Sequence, residues 1–325
     1  MVRHLLAVQA QDFYGALWAL GLRLPRATAD TVEQAFTAGA ILRTHLMRPT
    51  WHFVAPEDIR WLLALTAPRV HALNALYYRR AGIDSATRRR CRAVLARELG
   101  GQCRTREELR VALERAGVRA RGALRLPYIL MQAELDGLIC SGPRRGKQFT
   151  YALLEERVRP ARPLPRDEAL GELARRYFST RGPATVQDCA RWSGLTVADV
   201  RRGLAAVQRS FEHHEIRGRT YWFAPGGRPQ RSATTAYLLP NYDEYVSSYR
   251  FHDVILDAVG NPRLAYPHLL VLNGRLVGTW NRTLGKTRVD IVTHTFAPLA
   301  ARDRRAVARA ARRYGAFVGL PVRLR

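Results

Sequence analysis

The sequence predicts an α+β protein: three tandem winged-helix modules followed by a small antiparallel β-domain that closes with a C-terminal helix. Three observations carry this. Helix start and stop signals recur in the same order along the first two thirds of the chain, a basic hairpin tip follows them twice, and past residue 230 the pattern turns to short β-rich runs. The expected modules are residues 1–80, 81–160 and 161–230, with the β-domain and its helix at 231–325.

The third module is the clearest. Glu168 to Thr180 reads as an amphipathic helix stopped at Gly182-Pro183. Thr185 and Asp188 then start Val186 to Ser193 as a capping box, a hydroxyl and a carboxylate three residues apart that each bond the other's backbone N–H, and Gly194 ends that helix. Thr196 and Asp199 repeat the signal before Val197 to Gln208, whose Val200, Leu204 and Val207 share one face. Phe211 to Glu215 and Thr220 to Phe223 flank the basic turn Arg217-Gly218-Arg219. Three helices and a hairpin outline a winged helix, a helix-turn-helix derivative that commonly docks on nucleic acid.

Residues 86–154 repeat the plan. Ala86 to Leu99 ends at Gly100-Gly101, Thr105 and Glu108 form a third capping box, and Gly117 follows the second helix. Leu126 to Asp136 is the third helix, closed by Gly137, and Leu138 to Cys140 and Gln148 to Leu153 flank the basic tip Pro143-Arg144-Arg145-Gly146-Lys147. The first 80 residues give a degraded copy, with helix Thr31 to Ala40, the run Ile41 to Met47, a turn at Arg48-Pro49 and the strand Thr50 to Val54. In the tail, Thr234 to Leu239, His268 to Leu272, Arg275 to Trp280 and Arg288 to Thr295 are β-rich. Asn273-Gly274 suits a type I′ turn, both of whose central residues need positive φ, and Leu284-Gly285-Lys286 is a second reversal. Ala300 to Phe317 is amphipathic, Val307, Tyr314 and Phe317 lying opposite Arg302, Arg305, Arg309, Arg312 and Arg313.

Near-average apolar and charged content over 325 residues excludes a disordered, collagenous or disulfide-stapled chain. Charge is the abnormal quantity: Lys+Arg 53 against Asp+Glu 27 gives +26, and only Lys147 and Lys286 are lysines. A cation excess of that size suits a polyanion, nucleic acid being the commonest, although a GC-rich genome also favours arginine over lysine. Arg144, Arg145, Lys147, Arg217 and Arg219 occupy the same topological position in two modules, which favours phosphate contact over plain solvated surface. Cys91, Cys103, Cys140 and Cys189 show neither a C-x-x-C pair nor a nearby His at ligand spacing, so no metal is expected and a reducing cytoplasm fits best. His213-His214 lacks a third ligand, and His294 reads as an exposed strand residue. Leu5 to Leu22 is apolar but interrupted by Gln9, Gln11 and Asp12, so no membrane span is expected.

Four strings carry a family resemblance. Val8-Gln9-Ala10-Gln11-Asp12 with Gly15-x-x-Trp18, the segment Arg48-Pro49-Thr50-Trp51-His52-Phe53-Val54, Leu238 to Tyr245 (LLPNYDEY) and Asn273 to Trp280 (NGRLVGTW) stand in the order that resembles the AlkZ-type and YcaQ-type winged-helix DNA glycosylases. The resemblance spans nearly the whole chain and implies three winged helices with a C-terminal β-domain on duplex DNA, and excision of bulky or crosslinked alkylpurines. It also implies a helix upstream of the Gln motif, whereas Gln9 lies eight residues from Met1. The first module is therefore expected to be N-terminally incomplete, or the true start to lie upstream.

Gln9-Ala10-Gln11 matches the family's catalytic Gln-x-Gln form, so the resemblance implies Gln9 and Gln11 as the catalytic pair. Taken alone, two glutamines so placed would be read as caps of local backbone groups. In an extended segment, residues two apart share one side, so both amides can face one water or one sugar with Ala10 packed inward. Asp12 is a candidate base if the backbone turns it inward. Thr50 and His52 share a strand face that is a candidate lining of the cleft, the alternative being sheet packing, and Asn241, Asp243 and Tyr245 are either turn formers or polar groups facing DNA. With so few lysines, a Schiff-base lyase step is not expected.

The resulting expectation is a monomeric, cofactor-free and metal-free monofunctional glycosylase acting on double-stranded DNA that carries alkylated purines, in repair or in self-resistance to an alkylating natural product. A transcription regulator built from the same winged helices is the alternative class. It would bind one sequence and release no base.

Overall fold

The computed structural model describes residues 1–122, 124–226, 234–250 and 268–325. The chain divides into two compact units, one comprising Val2–Val8 and Ala35–Ala224, the other Met1, Gln9–Gln34 and Pro225–Arg325. The boundary expected at 230/231 lies outside the described residues.

In the larger unit the two capping boxes of residues 161–230 form as the sequence predicts: Thr185 accepts from Asp188 N–H and Thr196 from Asp199 N–H, at 3.1 and 3.0 Å, and both reciprocal bonds are present. Gly194 takes the left-handed conformation after Val186–Ser193. The Arg166–Arg181 and Val197–Val207 helices approach closely at Gly203, where a Cβ would run into the Leu170 carbonyl. Glu212–Ile216 and Arg219–Phe223 pair antiparallel around Arg217 and Gly218, at φ 52° and 69°. The middle stretch folds as Ser85–Leu99, Arg106–Arg115 and Arg125–Leu135, with strands Ile139–Ser141 and Thr150–Leu153 and a short third strand Arg104–Thr105. Thr105 and Glu108 complete the third predicted box.

Leu42–Leu46 pairs antiparallel with Thr50–Val54, and the chain leaves this unit within the Ala7–Gln9 strand, which lies along the other side of Thr50–Val54. The 25-residue helix Pro56–Arg80 went unrecognised in the sequence. Pro56 sits at its first turn, where the lost N–H costs nothing, and Pro68 lies inside it.

Two buried arginines hold the N-terminal segment. Arg176 makes bidentate bonds of 2.6 and 2.8 Å to Asp58 and also reaches Arg3 O. Arg181 donates to Leu5 O and Ala7 O at 2.9 and 3.0 Å, with its guanidinium 4.3 Å over Trp192. Those carbonyls flank Leu6, a buried non-glycine residue at φ 68°. Two hydrogen bonds thus secure an unfavourable backbone conformation just before Gln9.

The second unit is built on a five-stranded sheet in the order Val322–Leu324, Val289–Thr295, Arg275–Leu284, Leu269–Leu272, Ala236–Leu239. The expectation of a purely antiparallel domain is corrected at one edge, because Val322–Leu324 runs parallel to Val289–Thr295. The cause is the Ala301–Val318 helix between them: a parallel neighbour requires such a crossover. Asn273-Gly274 forms the expected turn at φ 50° and 81°. The Phe13–Arg23 helix, absent from the sequence reading, supplies Trp18, which meets Tyr314 and Phe317 at 5.0 Å between ring centroids. Trp280 lies 5.3 Å from Tyr314, so four aromatic rings form the centre of this core.

Candidate active site

Three of the four strings converge in this second unit. The indole N–H of Trp18 donates to Leu238 O at 2.7 Å and that of Trp280 to Leu239 O at 2.8 Å, so two buried tryptophans fix consecutive carbonyls at the end of one strand. Pro240 follows, and Gly15 lets the first turn of its helix sit against it: a Cβ at 15 would lie 3.3 Å from Pro240 Cβ and 2.5 Å from Asp12 Oδ2. Tyr245 O–H donates to Gly274 O at 2.8 Å, tying the loop to the Asn273-Gly274 turn.

The Gln motif sits on this scaffold. Gln9 is buried, Ala10 is fully buried and Gln11 is exposed. The backbone N–H of Gln9 donates to Glu244 Oε1 at 2.8 Å, and the other oxygen of that buried carboxylate accepts from the Ser248 hydroxyl at 2.6 Å. Asp12 caps the Phe13–Arg23 helix, accepting from Gly15 N–H at 3.0 Å, so its carboxylate already has structural work.

The loop residues divide by role. Asp243 is a turn former: it accepts from Tyr245 N–H at 2.8 Å and holds Arg23 by two bonds of 2.9 and 2.8 Å. Burial works against the Arg23 charge, but Asp243, with Glu244 beside it, more than offsets this and holds Arg23 above its ordinary value. Asn241 donates its backbone N–H to His268 Nδ1 at 2.9 Å, while its side-chain oxygen is buried with no hydrogen-bond partner among the described residues. Burial first, then the Arg282 guanidinium 3.3 Å away, lowers the His268 pKa, against a smaller opposing pull from Asp12.

Thr50 and His52 belong to the other unit. His52 is fully buried with Nδ1 3.0 Å from Thr50 O, and the Thr50 hydroxyl oxygen is buried without a hydrogen-bond partner among the described residues. Of the basic tips, Arg145, Lys147 and Arg217 are exposed. Arg144 lies 5.2 Å over Phe149, Arg219 is half-buried, and Arg145 bonds Glu108 at 2.7 Å and Cys103 O at 3.1 Å. No group of three or more His, Cys, Asp or Glu residues able to hold a metal occurs among the described residues, nor any helix long and apolar enough to cross a membrane. Sequence reasoning missed Glu244, Ser248, Arg23 and His268. Glu244 stood inside a quoted string, but only the fold brings it to Gln9.

The model of the DNA glycosylase AlkZ-like family matches residues 2–317. An interstrand DNA cross-link repair glycosylase of Streptomyces sahachiroi is 24% identical over 300 residues, 86% of this chain and 81% of that protein. The solved structure of Streptomyces sahachiroi DNA glycosylase AlkZ shares the fold at TM-score 0.80 and 22% identity, over 100% of this chain and 92% of that one. These matches define an enzyme of the DNA glycosylase class, whose substrate is DNA. Within that class, the chain belongs to the AlkZ-like family. The regulator alternative is not favoured.

Proposed function

We propose that the protein is a monofunctional glycosylase that hydrolyses the N-glycosidic bond of cationic N7-alkylpurines in duplex DNA, including bulky adducts and interstrand crosslinks, with Gln9 and Gln11 as its catalytic pair. The carrying observation is the Gln9-Ala10-Gln11 segment, with Ala10 packed inward and the Gln9 backbone bonded to a buried carboxylate. Glycoside cleavage passes through an oxocarbenium-like state and ordinarily needs a general acid for the leaving group. An N7-alkylated purine is already cationic and departs neutral, which removes that need. Amide oxygens then suffice to orient water and to soften the charge developing on the sugar. Lys147 and Lys286, the only lysines, are both exposed and in turns, which supports hydrolysis over a Schiff-base lyase step. On this reading residues 1–80, 81–160 and 161–230 act as winged helices and 231–325 as the β-domain, the exposed basic tips meeting phosphates. The biological setting is repair, or self-resistance to an alkylating natural product.

The test is single-turnover release of N7-methylguanine from duplex DNA. Gln9→Ala and Gln11→Ala are each expected to slow it by roughly 10–1,000-fold with little change in DNA affinity, since neither amide is charged. Lys147→Ala with Arg217→Ala is the contrast: weaker binding, a salt slope shallower by about 1 for each phosphate that is no longer neutralised, and excision from saturated complex intact. Parental excision by both folded glutamine variants would refute the catalytic assignment.

A further inference from the structure

We propose that Glu244 is the positioning residue of Gln9, fixing the main chain from which the catalytic amide projects. This rests on the reading of Gln9 given above. Glu244 is 3% exposed and Ser248 is fully buried, so the carboxylate lies away from solvent beneath the motif. Its two oxygens meet two donors, the Gln9 N–H at 2.8 Å and the Ser248 hydroxyl at 2.6 Å. An ionised carboxylate only accepts, and both donors match that capacity.

The carboxylate is itself fixed from several sides. Glu244 opens the one-turn helix Glu244–Ser247, capped by Asp243, and Asp243 is held by Arg23. The Trp18 and Trp280 indoles hold the carbonyls of Leu238 and Leu239 just upstream. On the other side, Gln9 is the last residue of its strand and is followed by fully buried Ala10. The bond linking the Gln9 backbone to this loop therefore sets where the amide stands. A misplacement of about 1 Å in such a group costs on the order of 100-fold in rate.

Reach and charge can be separated at position 244. Glu244→Gln keeps the length and leaves a carbonyl oxygen for the Gln9 N–H, while its amide turns to the Ser248 oxygen, whose hydroxyl hydrogen is free to rotate away. Glu244→Asp keeps the charge but withdraws the acceptor by one methylene. Positioning predicts that E244Q excises N7-methylguanine within about threefold of the parent, whereas E244D is slowed by roughly 10–100-fold in saturated complex at unchanged Kd. It further predicts that E244D combined with Gln9→Ala is no slower than Gln9→Ala alone, because the effect travels through Gln9. Circular dichroism and thermal melting confirm that the compared variants are folded, and a merely structural role would not yield rescue by E244Q together with loss in E244D. The proposal is overturned if E244D excises at the parental rate, if E244Q is the slower of the two, or if the E244D and Gln9→Ala effects multiply. Parental excision by Gln9→Ala would instead sink the underlying catalytic reading, so the two failures are distinct.

Discussion

Removing the Asp243 carboxylate should destabilise the unit that carries the Gln motif by a calculable amount. The Asp243 side chain is 1% exposed and that of Arg23 24%, and the pair is bidentate at 2.9 and 2.8 Å. Breaking a buried pair by removing one partner costs about 3–5 kcal/mol, because the other charge stays buried. Water can still reach part of Arg23, which lowers this to about 2–3 kcal/mol. Asp243→Asn retains an oxygen for the Tyr245 N–H and should cost that amount, whereas Asp243→Ala also loses the cap, about 1 kcal/mol more. In an Arg23→Met background the buried Asp243 carboxylate is itself the stranded charge, so Asp243→Asn should cost nothing or stabilise, a coupling of at least about 2 kcal/mol. Urea unfolding followed by tryptophan fluorescence gives each value, with an unchanged m confirming that only stability moved. A loss below about 0.5 kcal/mol for Asp243→Asn, or additivity with Arg23→Met, would refute the ion pair as a determinant of the loop.

Two further outcomes follow. His268 is held neutral with its pKa below the ordinary 6.5, so the stability it contributes is complete above that pH and is lost as pH falls through it toward the folded value. His268→Gln, whose side-chain oxygen can still accept from Asn241 N–H, should flatten the decline in urea midpoint between about pH 7.5 and 5.5; an unchanged decline would show that other groups cause it. Burial pushes Cys91 up to about 11, Cys140 up to about 12 and Cys189 higher, while Cys103 is half-buried. Native protein should react rapidly with one equivalent of dithionitrobenzoate, lost in Cys103→Ser, and a second fast thiol would contradict the burial described.

Local signals were legible where the chain decides its own structure. Thr185 with Asp188, Thr196 with Asp199 and Asn273-Gly274 act within a few residues, and each produced the predicted cap or turn. The parallel edge strand at Val322–Leu324 was not legible, because its direction depends on where a preceding helix delivers the chain. The site shows the same division. Gln9 and Gln11 stood out through family resemblance, but whether Asp243 faces DNA or pins Arg23 depends on a partner 220 residues away. Arg145 likewise read as a phosphate contact, and only the fold shows it also bonded to Glu108.

The bond from Gln9 to Glu244 spans 235 residues of chain, and the Trp18 and Arg23 bonds span 220. Closing a loop of that length costs on the order of 5 kcal/mol in chain entropy, regained only when the partners at 238–244 exist. On a ribosome adding about 5–20 residues per second, the Gln motif is made first and waits tens of seconds for its carboxylate anchor. The hairpins at 139–153 and 212–223 are complete before that anchor emerges. A nascent or C-terminally truncated chain therefore has both hairpins while the Gln9 backbone still lacks Glu244, so on the roles proposed above DNA binding should arise before excision during synthesis.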